Sequence, residues 1–243
     1  MRTSRIFVAE QLHEHSRVPL DDDARRHLLK VLRLKTGDPL VLFDGSGRDF
    51  AARLHDVGKQ LCTADVLEVI HQEPQPALLI SLAIGISRGE RMDFSIQKAV
   101  ELGVSSITPL FTERSMVHLK GERLHKRHDH WYGVIRHACE QSGRSRLPQL
   151  HRAQSLADWL ETFQGNGVLL DHRATTPLVN LDTPGDKLAL LVGPEGGLSP
   201  QERDFALRSG LRSARMGPRV LRTETAPLAA LSVIQALWGD FRE

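Results

Sequence analysis

An α/β fold with a mostly parallel sheet, preceded by a smaller β-rich part, is predicted by three observations. The run "ALLISLAIGI" (77–86) is continuously apolar, as in a strand buried on both faces. The apolar segments that follow it alternate with helical patterns, which argues for parallel strands joined by helices. Before it, "DPLVLFDGSGRDFAARL" (38–54) places the turn Asp44-Gly45-Ser46-Gly47 between two apolar or alternating stretches, a hairpin signal.

In order, a short helix is expected over Asp22–Leu32, ended by the "KTGD" turn at 35–38, then the hairpin, then a β-rich stretch from Leu61 to Ile70. "HQEPQPA" (71–77), with two prolines among polar residues, reads as a linker. Beyond it come a helix around Arg91–Leu102 closed by Gly103, a strand in "SSITPLF", and a long helix from about Glu122 to Ser142 ending at Gly143. "SLADWLETF" is a helix capped by Ser155. "GVLLD" and "LALLVG" are strands, and helix 200–209, a strand near 213–216 and helix 227–238 finish the chain. In the last helix Leu228, Leu231, Ile234 and Trp238 form the expected buried stripe.

Composition excludes several classes. With 243 residues, 40% hydrophobic and 26% charged, the chain can bury a real core. Its longest apolar run is far too short to span a bilayer, and its start lacks a signal-peptide core, so a cytoplasmic protein without membrane association is expected. Cys62 and Cys139 make no disulfide framework. His125, His128, His130, His137 and Cys139 share one predicted helix, but without a second paired cluster, CxxC or HExxH no metal is expected. Cys139 lacks a nucleophile motif. Net charge is only +2, yet five arginines between 208 and 222 come without an acid, and a second basic stretch spans 114–146. These are either solvated helix faces or an RNA footprint.

The most informative stretch is "LLVGPEGGLSPQE" (190–202). Ser199-Pro200-Gln201-Glu202 is a capping box, so a helix starts at Pro200 and Gly193–Leu198 is the loop feeding it. A loop after a buried parallel strand is where such sheets bind ligands. Gly193, Gly196 and Gly197 can each adopt positive φ and admit a ligand to the backbone. No Lys-Ser/Thr follows, which excludes a P-loop, and Glu195 would repel phosphate and favour a cation. A second loop, 217–226, concentrates Arg219, Arg222, Thr223, Glu224 and Thr225 between apolar elements. Thr223 or Thr225 is expected to cap the helix behind it, because Pro227 is tolerable only near a helix start.

Together, "GPEGGLS..E" and "GPRVLRTETA.L" resemble the RsmE family, SPOUT-superfamily methyltransferases acting on uridine N3 in the decoding region of 16S rRNA. The likeness extends through "RIFV" (5–8), "H..KVLR...GD...LFDG" (27–45), "SRGERMDF.IQKAVELGV..I.PL..ERS" (87–115) and "ACEQSGR...P" (138–148). The resemblance implies a PUA-like β-barrel over 1–73, an α/β domain with a trefoil knot over 74–243, a homodimer, and S-adenosylmethionine (SAM) as cofactor. It places the cofactor on Leu170, Gly193, Pro194, Glu195, Gly196, Gly197, Met216, Leu221, Arg222 and Thr223. One departure is Pro227, where a small or polar residue would be expected.

Uracil N3 carries a proton and lies on the Watson–Crick edge, so the base must be unpaired, the proton removed and the developing charge on the oxygens stabilised. Arg222 or Arg114 is expected at those oxygens; Glu140, Glu195, Glu224 or water takes the proton. Arg5, Lys30 and Arg33, with Arg88, Lys98, Arg144 and Arg146, fall in family-like motifs and are the expected RNA contacts. The partner is then 16S rRNA, within the small ribosomal subunit. The alternatives are a non-catalytic RNA-binding or ribosome-assembly protein and a SPOUT enzyme acting on another RNA atom, such as a ribose 2′-oxygen.

Overall fold

The computed structural model describes residues 3–58, 61–117 and 119–242. They form two compact units: one comprises the chain up to Gln75 together with Arg136–Leu147, the other Pro76–Ile135 and the chain from Pro148 onward.

In the first unit the strands are β1 (Arg5–Phe7), β2 (Arg17–Pro19), β3 (Pro39–Phe43), β4 (Arg48–Val57) and β5 (Cys62–Gln72), ordered β1-β3-β4-β5-β2. The expected hairpin is β3–β4, with Leu42 opposite Phe50. Only the β1–β3 pair is parallel. The expected first helix is a short α1 (Asp22–Arg26) that widens into a π-helical turn over His27–Val31. Leu28, Leu40, Leu42, Phe50 and Leu54 form the core. The segment Arg136–Leu147 belongs to this unit because its polar groups are used there. Arg5 pairs with Asp49, which also binds the Ser145 hydroxyl. The Arg146 guanidinium donates to the carbonyls of Ser46, Glu73 and Pro74.

In the second unit strands alternate with helices: β6 (Leu79–Gly85), α2 (Glu90–Glu101), β7 (Ser106–Phe111), α3 (Gly121–Ser142), β8 (Gln149–Leu150), β9 (Gln154–Ser155), α4 (Leu156–Thr162), β10 (Gly167–Leu170), β11 (Lys187–Val192), α5 (Pro200–Arg208), β12 (Leu211–Ala214) and α6 (Thr225–Trp238). The sheet order is β12-β10-β11-β6-β7-β8, β9 also pairing with β7, and these pairs are parallel. On one face Ala83, Leu110, Leu169 and Leu191 pack under Leu156 and Leu160 of α4 and Ala206 of α5.

Three details differ from expectation. The last strand is Leu211–Ala214 rather than 213–216. Helix α6 starts at Thr225 with Glu224 as a helical N-cap and no side-chain cap, because the Thr223 hydroxyl is engaged elsewhere. The buried stripe is Pro227, Ala230, Leu231, Ile234 and Gln235, leaving Leu228 and Trp238 half-buried. Gln235 belongs in the core because its amide donates to the Leu102 carbonyl (2.8 Å) and accepts from the Asp240 N–H (2.9 Å).

Candidate cofactor cleft

A cleft of about 460 Å³ opens at the C-terminal ends of β10 and β11. It is lined by Leu170, the whole run Gly193–Gly197, Met216, Leu221, Arg222 and Thr223, so the ten residues expected to hold a cofactor meet in one place. Two local devices build its first wall. Helix α5 begins at a capping box in which Ser199 and Glu202 satisfy each other's backbone N–H, fixing where the loop must end. The Gly197 N–H then bonds the Pro194 carbonyl at 2.8 Å, turning the loop back on itself.

The three glycines serve two different needs. Of the three, which can all take positive φ, only Gly197 does so (φ 65°). Gly193 and Gly196 are required by space. A Cβ on Gly193 would sit 3.1 Å from the Leu198 nitrogen, and one on Gly196 3.0 Å from the Arg114 Cβ and 3.3 Å from its carbonyl. Arg114 also donates from Nη1 to the Gly196 carbonyl (3.2 Å), so it buttresses the loop from behind. Gly85 is an unforeseen participant: a Cβ there would collide with Pro194.

The loop before α6, 217–224, forms the opposite wall with the first turn of α6 and is tied to the first wall. Thr223 Oγ1 donates to the Gly193 carbonyl at 3.2 Å, and the Ser87 hydroxyl lies 3.3 Å from Thr223 Oγ1. Arg222 lines the cleft with an exposed side chain. The acids behave differently from one another. Glu195 Oε1 accepts from the Arg88 N–H (3.1 Å) and from Arg91 (3.4 Å). Burial pushes its pKa up, but bonds from the Arg88 N–H and from its own backbone, with Arg91 and the Ser87 hydroxyl, outweigh burial and hold it below the ordinary carboxylate value. Glu224 lines the same cleft, and its Oε2 is buried without a hydrogen-bond partner. Glu140 is not among the cleft residues. It accepts from the Phe7 N–H (3.1 Å) in the first unit, and burial, only partly offset by that bond and by His137 and Arg136, raises its pKa.

Asp171, directly after β10, was missed by the sequence reading. It lines the cleft and gathers Arg173 and Arg203 at 3.6 Å each. An acid at the C-terminal end of a buried parallel strand is the signal that could have found it. Cys139 is buried, and burial pushes its thiol up to about 12, which removes it as a nucleophile.

The expected RNA contacts divide. Lys30, Arg33 and Arg88 are exposed, Arg33 in a left-handed conformation (φ 56°). Arg5 is corrected to a structural role: it is 10% exposed and its charge is used by Asp49. Arg146 is likewise occupied by three carbonyls, and Arg144 is 15% exposed near Glu73. Lys98 pairs with Glu101 on its own helix at 2.7 Å. Among the described residues no helix is long and apolar enough to cross a membrane, and no cluster of three or more His, Cys, Asp or Glu could hold a metal ion.

Comparison with known proteins agrees with this geometry. Residues 73–235 match the model of an RNA methyltransferase domain and residues 20–67 that of an RNA methyltransferase PUA domain. Ribosomal RNA small subunit methyltransferase E of Buchnera aphidicola subsp. Acyrthosiphon pisum is 31% identical, covering 98% of this chain and 95% of its own. The chain belongs to the ribosomal RNA small subunit methyltransferase E family. Two solved structures similar to it carry a ligand. That of the Neisseria gonorrhoeae family member bound to S-adenosyl methionine is 37% identical, with a TM-score of 0.91 over 99% of this chain and 100% of its own. A putative methyltransferase from Legionella pneumophila, in complex with the bound cofactor SAM, is 36% identical with a TM-score of 0.92 over the same shares. The family's fold, a PUA-like N-terminal domain followed by an α/β domain with a mostly parallel sheet, is the one this chain adopts.

Proposed function

We infer that this chain is a SAM-dependent RNA methyltransferase, and more specifically that it methylates N3 of a uridine in the decoding region of 16S rRNA. The observation carrying the reading is the Thr223–Gly193 bond, which closes two loops on one cleft. Gly193 and Gly196 let the loop pack closely against Leu198 and Arg114 at the edge of the cleft, and a cleft bordered by Glu195, Glu224 and Asp171 suits a cationic sulfonium. Relatives solved with SAM support the same reading. Leu170, Gly193–Gly197, Met216 and Leu221–Thr223 would hold the cofactor. When bound, SAM supplies an electrophilic methyl group on sulfur.

Among the acids considered for the N3 proton, Glu224 is favoured. Its buried Oε2 lacks a partner, whereas Glu195 is held by Arg88 and Arg91, and Glu140 by the Phe7 N–H. Glu224 then takes the proton from N3, and the exposed Arg222 guanidinium stabilises the negative charge left on the uracil oxygens. Arg114 acts as a buttress of the Gly196 turn. Lys30, Arg33 and Arg88 contact RNA phosphates. The reading further includes a PUA-like domain over 1–73, a methyltransferase domain over 74–243 with a threaded knot, a homodimer, and an assembled small subunit in the cytoplasm as the setting.

The test is methyl transfer from labelled SAM to small subunits and to deproteinised 16S rRNA lacking the mark, with the product nucleoside identified by mass spectrometry. N3-methyluridine is expected. A ribose 2′-O-methyl or another methylated base would overturn the N3 assignment, and absence of transfer to either substrate would overturn the activity.

A further inference from the structure

The parallel sheet has a second end. The first residues of β6, β7 and β11 lie together at the end away from the cofactor cleft, about 20 Å along the strands. On one face the strands change character along their length. Nearer the cleft, Ala83, Leu110 and Leu191 are covered by α4 and α5. At the strand starts the same face carries hydroxyls beside Leu79 and Ala189. Ser81 pairs with Ser106 in register, their hydroxyls 2.9 Å apart, and Thr108 follows. A cavity of about 580 Å³ lies over these hydroxyls.

Its walls have a consistent chemistry. Half-buried Trp159 and Phe163 of the α4 segment line it as a tilted aromatic pair, ring centres 5.2 Å apart. Gln149 and His151 line it from β8 and just beyond. Among the described residues, no hydrogen bond engages the side chains of Thr108, Gln149 or His151, and the buried Ser105 Oγ lacks a partner. Asn166 spends its amide N–H on the Pro184 carbonyl (2.6 Å) and keeps its own carbonyl oxygen. Charge is balanced, with one Lys187 and one Asp186 on the lining. Such a site is built for an uncharged planar ring bearing several donors and acceptors, and lacks the cationic cluster that a phosphate requires.

We propose that this cavity binds a nucleobase, that of an unpaired nucleotide in the RNA that the chain acts on. The ring stacks on Trp159 and its edge is read by the Ser81, Thr108, Gln149 and His151 side chains. Base–aromatic stacking tolerates any base and rewards a single-stranded segment, so the cavity anchors substrate RNA away from the reacting uridine. The base chemistry follows from the lining; its source in RNA rests on the methyltransferase reading.

The experiment binds a 4-thiouridine-containing single-stranded decamer, and separately the four nucleoside monophosphates, to the full chain, Trp159→Leu and Thr108→Val. Crosslinked peptides are identified after irradiation, and SAM affinity on each sample checks the fold. The expected result is a crosslink within residues 148–166 and decamer affinity about fivefold to a hundredfold weaker in Trp159→Leu, with SAM affinity unchanged. KM for RNA rises in that variant while kcat holds. Monophosphates binding as tightly as the decamer would overturn the RNA source in favour of a free nucleotide. Decamer binding indifferent to both substitutions, with no crosslink in that segment, would overturn the site. If decamer binding depends on Trp159 but no RNA accepts a methyl group, the methyltransferase reading fails and the site stands.

Discussion

Two of the glycine turns that follow strands in this molecule do opposite jobs. In the β3–β4 hairpin, Gly45 and Gly47 are both left-handed (φ 86° and 94°), and a Cβ on Gly47 would strike the Arg146 guanidinium. The turn is also saturated. The Asp44 carboxylate accepts from the Leu12 and Ser46 N–H groups, at 3.0 Å each. After β11, only one of three glycines is left-handed, and the other two keep backbone close to backbone at the edge of a cleft. This turn's own acid, Glu195, is held by Arg88 and Arg91, but Glu224, facing it across the cleft, has a buried oxygen with nothing bonded to it. A turn that consumes its own polar groups holds a fold together. One that edges a cleft with an unspent acid on its far wall is suited to a ligand.

The sharpest test of that contrast exchanges the two acids for amides. Glu224→Gln is expected to lower kcat for methyl transfer by about 10²–10⁴-fold with thermal stability unchanged. Asp44→Asn is expected to lower Tm and leave kcat alone. Equal kinetics in the two variants would break the contrast, and so would a collapse of kcat in Glu140→Gln, whose amide can still accept from Phe7 N–H.

The glycines come next. Gly196→Val should weaken SAM binding about tenfold to a hundredfold, since overpacking against Arg114 costs about 1–3 kcal/mol. Gly47→Val should instead cost about 1–3 kcal/mol of stability through its left-handed backbone, with SAM affinity intact by calorimetry. A smaller effect is expected for Thr223→Val. Losing the bond to the Gly193 carbonyl, worth about 0.5–1.5 kcal/mol, weakens SAM binding about two- to tenfold.

The smallest effect is in acid. Burial raises the Asp44 pKa, but its bonds from Ser46 and Leu12 and the charge of Arg48 outweigh burial and hold it below 3.8. Its contribution is therefore present above the unfolded value and fades as pH falls through the lower folded value. Glu140 has the opposite sign: burial raises its pKa above 4.5, so its contribution is present at low pH and is lost as pH rises through the folded value. Urea unfolding from pH 2.5 to 7 should therefore show a shallower acid limb in Asp44→Asn, and in Glu140→Gln a stability gain confined to the higher pH range.

What was legible in the chain was local. The Ser199–Glu202 box, the Ser155 cap and the hairpin at Asp44–Gly47 each depend on neighbours within a few residues, and all three form. The two cleft loops were legible because each sits between apolar elements. The remainder depends on partners distant in sequence. No local pattern shows that Thr223 bonds Gly193 rather than capping α6, that Gln235 reaches Leu102, or that Arg5 and Arg146 are consumed inside the first unit. Arginine in a family-like motif reads as an RNA contact until a buried carboxylate or a row of carbonyls claims it. Gly85 shows the same limit, its need set by Pro194 in the loop after β11.

Hydrogen exchange of the full chain with and without SAM tests the central claim most directly, that the two loops form one cofactor cleft. Protection confined to the amides of 192–198 and 217–226, with those after β10, is expected. Protection of one loop without the other, or of neither, would contradict it.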